Sequence, residues 1–162
     1  MKRLNGNRVT VLKYYNYDIV FQEIPDEVTL AVNITNCPHR CVGCHSPHLH
    51  LDIGEVLDEN SLDGLLSKYG RQITCVCFMG GDRQPKDVAT LAKHLHQHTK
   101  LKVAWYSGND ILPRYANLFD YVKVGGYKPE FGGLRSRTTN QRLYRIGAGG
   151  EMEDITSRFW KK

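Results

Sequence analysis

Cys37, Cys41 and Cys44 stand in the stretch Asn36 to His45 with the spacing C-x3-C-x2-C. Thiolates bind iron–sulfur clusters and zinc alike, so three of them in one short loop mark a candidate metal centre. They can hold three corners of a cubane 4Fe–4S cluster, whereas a cluster held wholly by protein takes four cysteines. The absent fourth ligand would leave one iron open to a small molecule. Zinc is the competing occupant: a structural zinc site needs four ligands, and His45, His48 or His50 could supply the fourth. Zinc ligands more often come as one C-x2-C with a distant second pair, while here the thiols crowd a single loop.

Other groups could act on a ligand. Gly80-Gly81-Asp82, Ser107-Gly108 and Gly125-Gly126 are glycine turns, where a ligand can approach the backbone closely and a charged amino-acid moiety can be held. Each taken alone is equally an ordinary tight turn. Cys75 and Cys77 are two apart on an expected strand and share a face; they are read as small buried apolar residues. His94, His96 and His98 suit the end of a helix, but their spacing does not put all three on one face, so no metal site is expected there. Trp105, Tyr106, Phe119 and Tyr121 are read as core, and Thr138–Arg142 as a polar loop without chemistry of its own.

These residues need a scaffold. Residues 28–35 read as a buried strand that runs straight into the cysteine loop. Helical spacing follows over 60–69, a second buried strand over 73–79, a helix over 86–98, and a third strand over 101–106. A short helical piece over 110–117 leads to a fourth strand over 119–124. One or two edge strands are expected in 8–24, a loop over 130–140 and a short terminal helix over 154–160. Strand and helix alternation argues for βαβ units with a parallel α/β sheet, open or rolled into a partial barrel. The cysteine loop and all three glycine turns follow the carboxyl ends of strands, the edge at which such sheets bind ligands.

At 162 residues, with 41% hydrophobic and 24% charged side chains, the chain is expected to be one globular domain. No apolar run is long enough to span a bilayer, and no apolar stretch follows the basic N-terminus, so neither a membrane span nor a signal peptide is expected. Five cysteines, three of them clustered, make a poor disulfide framework and suggest a reducing, cytoplasmic setting. The net charge of +5 is uneven: residues 1–113 carry 12 basic and 12 acidic side chains, and residues 114–162 carry 10 and 5. Lys123, Lys128, Arg135, Arg137, Arg142 and Arg145 supply most of the excess, which suggests either an acidic partner or a merely solvated face.

The cysteine loop after one buried strand, with Gly-Gly after the next, resembles the radical S-adenosylmethionine (SAM) superfamily. Within it the small chain is similar to the activating proteins of anaerobic ribonucleoside-triphosphate reductase, which generate glycyl radicals. Two features carry the closer likeness. Cys41-Val42-Gly43-Cys44 places glycine before the third cysteine, where the wider superfamily favours an aromatic residue. The stretch Tyr121-Val-Lys-Val-Gly-Gly-Tyr127, followed by Ser136-Arg-Thr-Thr-Asn-Gln-Arg142, is the second. The matched features span about residues 28 to 146. The superfamily's Gly-Gly-Glu-Pro is here Gly80-Gly81-Asp82-Arg83-Gln84-Pro85, so Asp82 stands for a longer acid and Pro85 falls two places late.

The resemblance implies a single domain with a shortened, partial βα barrel of parallel strands. Cys37, Cys41 and Cys44 would ligate a 4Fe–4S cluster, and the amino and carboxylate groups of SAM would chelate the fourth iron. Gly80 and Gly81, with Asp82 beside them, would meet the methionine part, and Ser107 the ribose or carboxylate. The backbone at Gly43 and His45, next to Cys44, and that around Val124 and Gly125 would lie near the adenine. Reduction would cleave SAM to methionine and a 5′-deoxyadenosyl radical, which would take a hydrogen from a glycine of the large reductase subunit. With no second cluster motif, the electron would come from an external donor such as a flavodoxin. The basic segment 123–145 could dock the reductase; no nucleic-acid or membrane partner is expected. The nearest alternatives are a pyruvate formate-lyase activase, a 7-carboxy-7-deazaguanine synthase type of enzyme, and, from another class, a zinc-stabilised binding module.

Overall fold

Apolar runs of four to six residues recur along the chain, and in the computed structural model each forms a strand of one mixed sheet. The structure describes residues 11–160. The basic N-terminus from which the absence of a signal peptide was expected, and the first residues of the 8–24 edge segment, lie outside the described residues. The strands are β1 (Lys13–Val20), β2 (Thr29–Ile34), β3 (Glu55–Val56), β4 (Cys75–Met79), β5 (Lys102–Tyr106), β6 (Tyr121–Val124), β7 (Arg142–Ile146) and β8 (Met152–Asp154). Their order is β3-β1-β2-β4-β5-β6-β7-β8, an open arrangement with β3 and β8 at its edges. The middle four, β2, β4, β5 and β6, run parallel. Both flanks are antiparallel.

Two helices connect the parallel strands, α1 (Glu59–Tyr69) and α2 (Pro85–His98). Helix α1 starts on a capping box: the Asp58 carboxylate accepts from the Ser61 N–H, and the Ser61 hydroxyl accepts from the Asp58 N–H. Helix α2 starts on Pro85, whose fixed φ suits a first turn. Leu62, Leu65, Val88, Leu91, Ala92 and Leu95 of these helices pack on Leu30, Val32, Val76, Phe78, Val103, Trp105 and Val122 of the sheet. Alternate strand residues point the other way, where Cys75, Cys77, Ala104, Tyr121 and Leu143 pack with Ile24 and Ile155. Both faces of the central strands are therefore covered, which is why they read as continuous apolar runs.

Several expectations change. Segment 110–117 is not a helix beyond a 3-10 turn at Ala116–Leu118, and Pro113 within it disfavours a longer one. Of the one or two strands expected at the edge the described residues form one, β1, and the expected short terminal helix is a 3-10 turn, Thr156–Trp160. The β7–β8 hairpin was not expected: β7 buries Leu143 and Ile146, three apart rather than two, and all three residues of β8 are exposed, so neither shows the alternation that marks a half-buried strand. No helix among the described residues is long and apolar enough to cross a membrane.

Candidate functional site

The cysteine loop leaves β2 through Thr35, whose buried hydroxyl donates to Ile53 O at 2.7 Å, and through Asn36 at φ 59°. Asn tolerates that left-handed turn, which swings the chain off the sheet before Cys37. Two backbone bonds close the loop base: Asn36 N–H to Leu51 O at 2.9 Å and Cys37 N–H to Leu49 O at 3.0 Å. The Cys44 N–H donates to Cys41 O at 3.1 Å, so the last two cysteines share a tight turn. All three thiols are free and half-buried. Burial pushes the Cys37 thiol up, partly offset by a hydrogen bond from the His39 backbone, while Asp82, Cys41 and Cys44 push it further. A metal taking up this sulfur must release its proton.

Three other rim loops touch this one. Asp82, with a side chain 3% exposed, is the hub. Its carboxylate accepts from Ser107 Oγ at 2.7 Å and the Gly108 N–H at 2.7 Å, and lies 2.9 Å from His39 Nε2. One side chain thereby ties the loop after β4 to that after β5 and to the cysteine loop. Arg83 adds a bond to Asn36 O at 2.9 Å. After β6, a Cβ on Gly126 would stand 3.0 Å from Cys41 Sγ, so only a residue without a side chain lets that sulfur approach so closely. Tyr127 and Pro129 lie beneath Gly43, and the His45 ring packs on Tyr127 at 5.2 Å between centroids. A hollow of about 350 Å³ runs beside the loop between Cys41, Gly108, Gly126 and Tyr127.

The parallel strands thus bring the cysteines, Gly80-Gly81-Asp82, Ser107-Gly108 and Gly125-Gly126 to one edge, as the sequence pattern suggested. Their individual contacts are more specific. Gly80 O accepts from the Trp105 indole at 2.8 Å, and a side chain on Gly81 (φ 96°) would meet Val88 Cγ2 at 2.5 Å. Ser107 is fully buried and spends its hydroxyl on Asp82 and on the Asn109 N–H. The Val124 side chain faces the helical core, so only its backbone is turned to the rim. Cys75 and Cys77 are buried together, and burial drives both thiols well up, as inert core sulfur requires. His94 pairs with Asp63 at 2.7 Å, and His96 lies 3.1 Å from Leu118 O, each with its own protein partner.

Sequence inspection missed three residues. His39 carried no signal beyond its place between two cysteines. Asn140, in the polar run without assigned chemistry, donates to Gly126 O at 3.0 Å and so braces the turn behind Cys41. Lys123 interrupts an otherwise apolar strand, which was the available clue. Its Nζ donates to Gly125 O at 3.0 Å and lies 5.2 Å from the Tyr106 ring centroid. Burial pushes its pKa down to about 8, with Asp82, Cys77, Cys41 and Cys37 pulling the other way.

The donor chemistry fits an iron–sulfur cluster: three free thiols on one loop, a rim of backbone groups beside them, and a buried cation close by. No three His, Cys, Asp or Glu side chains among the described residues are grouped tightly enough to hold one metal ion. Each thiolate of a cluster binds a different iron, so cluster ligands need not meet at one point. Comparison with models of known protein families, with curated proteins and with solved structures gives no match.

Proposed function

We propose that the chain is a radical-SAM activase that installs a glycyl radical on an anaerobic ribonucleotide reductase. The observation that carries this reading is the junction of a three-cysteine loop with three glycine turns on the carboxyl edge of four parallel strands. In this reading those strands and their helices are a shortened βα barrel, flanked by antiparallel edges. Cys37, Cys41 and Cys44 would hold a 4Fe–4S cluster, leaving one iron for the amino and carboxylate groups of SAM. When bound, the cluster supplies the electron that splits SAM to methionine and a 5′-deoxyadenosyl radical, the species that takes hydrogen from the target glycine.

The chain's own residues orient and shield. Gly80 and Gly81 leave the backbone open to the methionine part, and the backbone at Gly43, His45, Val124 and Gly125 borders the adenine. Asp82 and Ser107 act here by fixing the loops, because each is already engaged by protein groups. Val42 and Ile111, both 78% exposed, flank the rim loops and suit a protein substrate better than an enclosed pocket for a small molecule. The electron would come from a flavodoxin-like donor in the cytoplasm.

Anaerobic reconstitution with iron, sulfide, SAM and a reductant tests this directly. Wild type should bind close to four irons per chain, absorb near 400 nm and form 5′-deoxyadenosine, on the order expected of one cubane cluster. Changing any of Cys37, Cys41 or Cys44 to Ala should abolish product. A colourless protein carrying one zinc after the same treatment would overturn the proposal.

A further inference from the structure

Lys123 sits in β6 between Val122 and Val124 and is 9% exposed. Strand alternation turns its side chain away from the helices, onto the face shared with Cys77 and Tyr106. Its ammonium has a carbonyl and an aromatic ring for company, and among the described residues it makes no ion pair. Asp82 acts on it as a negative charge without direct contact, and its oxygens are held by the rim loops through Ser107, Gly108 and His39. A buried ammonium with no counter-ion in direct contact destabilises the chain, and a methionine of similar length would avoid that cost.

Further negative charge is supplied if an anionic group occupies the rim. Lys123 is bonded to the carbonyl of Gly125, and the sulfur of Cys41 rests against the next residue, Gly126. Cys41 and Cys37, once deprotonated, lie within electrostatic reach of the ammonium. A 4Fe–4S core held by three thiolates is net negative, and one unit more so after reduction; net charge around a cluster is one determinant of its potential.

We infer that Lys123 is the buried counter-charge of the cysteine-loop cluster, a positioning residue that favours the reduced form and raises the midpoint potential. This rests on the proposal that the loop holds such a cluster. The test reconstitutes wild type, Lys123→Met and Lys123→Arg anaerobically without SAM, counts iron and sulfide, and follows reduction by dithionite with EPR. Lys123→Met should shift the midpoint to more negative values, and Lys123→Arg should recover most of that shift. Metal-free Lys123→Met should unfold at the same temperature as wild type or higher. If it does not fold, Lys123→Gln, which keeps a donor for Gly125 O and loses the charge, is measured in its place.

Equal midpoints in loaded wild type and the neutral variant overturn the inference and leave the cluster proposal standing. An unchanged midpoint, with weaker binding when SAM is then titrated into the loaded variants, would assign the ammonium to an anionic group of SAM instead, and also overturns it. A wild-type chain that takes up no iron overturns both.

Discussion

Asp82 accepts from three different loop positions with almost no water access, so its effect on the rim should exceed that of any single hydrogen bond. In Asp82→Asn one acceptor oxygen becomes an NH2 facing existing donors, whichever way the amide turns. We expect a loss of roughly 2 kcal/mol in urea unfolding of the metal-free chain, together with slower iron uptake. An unchanged unfolding midpoint would show that the hub does not hold the loops. Lys123 gives a prediction in pH. Its folded pKa of about 8 lies below the model-peptide value of 10.5, so the folded state binds its proton less readily than the unfolded chain does. The destabilisation is complete below pH 8 and is relieved as pH rises towards 10.5, by roughly 3 kcal/mol at most. Cys75, Cys77, Tyr106 and Tyr121, all raised by burial, act in the opposite sense in alkali. The quantity to measure is therefore the stability of Lys123→Met minus that of wild type, which should shrink between pH 8 and 10.

At the scale of elements, glycines with similar sequence surroundings do different jobs. Gly81 has φ 96° and no room beside Val88 of α2, so Gly81→Ala should displace the first turn of that helix. The expected loss is roughly 2 kcal/mol or more by thermal unfolding. Gly64 lies in α1 with open space where a Cβ would be, and Gly64→Ala should stabilise by about 0.5–1 kcal/mol in the same assay. Gly126→Ala separates folding from the site: its methyl would crowd Cys41 Sγ at 3.0 Å without requiring a left-handed backbone. Near wild-type unfolding with a severalfold loss of iron loading is expected, and equal loading would remove Gly126 from the site. The sequence showed that the strands end in glycine turns. It did not show which glycine is needed for backbone geometry, which for helix packing and which for a neighbouring sulfur.

Across the whole molecule, folding redistributes the charge that looked like one basic surface. Lys123 is buried, Arg142 lies 3.8 Å from Asp154, and Arg145 pairs with Glu153 across the β7–β8 hairpin. Arg158 pairs with Asp26. Lys128, Arg135 and Arg137 remain exposed without an acidic partner among the described residues, and Arg137 lies over Trp160. If this patch docks the proposed reductase partner, reversing Arg135 and Arg137 together should weaken that binding roughly tenfold at low salt, with the difference fading as salt rises. Equal binding in a surface-capture assay would remove this patch from docking. Reversal of Arg145 should instead act on the hairpin, with little effect on the proposed docking.

The sequence by itself determined the central strands, both helices and the convergence of four loops on one edge. Burial on both faces writes an uninterrupted apolar signature, and parallel connections send every following loop to the same side. It also fixed the donor chemistry, because C-x3-C-x2-C is local. The tertiary structure alone decided that Asp82 braces three loops, that Asn140 supports the turn against Cys41, and that Lys123 is a buried charge beneath the rim. The roles of Asp82 and Asn140 join residues 14 to 43 positions apart, and a single sequence carries no record of which polar side chains meet across such separations. The terminal hairpin escaped for a related reason. With no buried residue in β8 and no period-2 burial in β7, the hairpin rests on backbone pairing and on contacts such as Arg145 with Glu153 that no local pattern records.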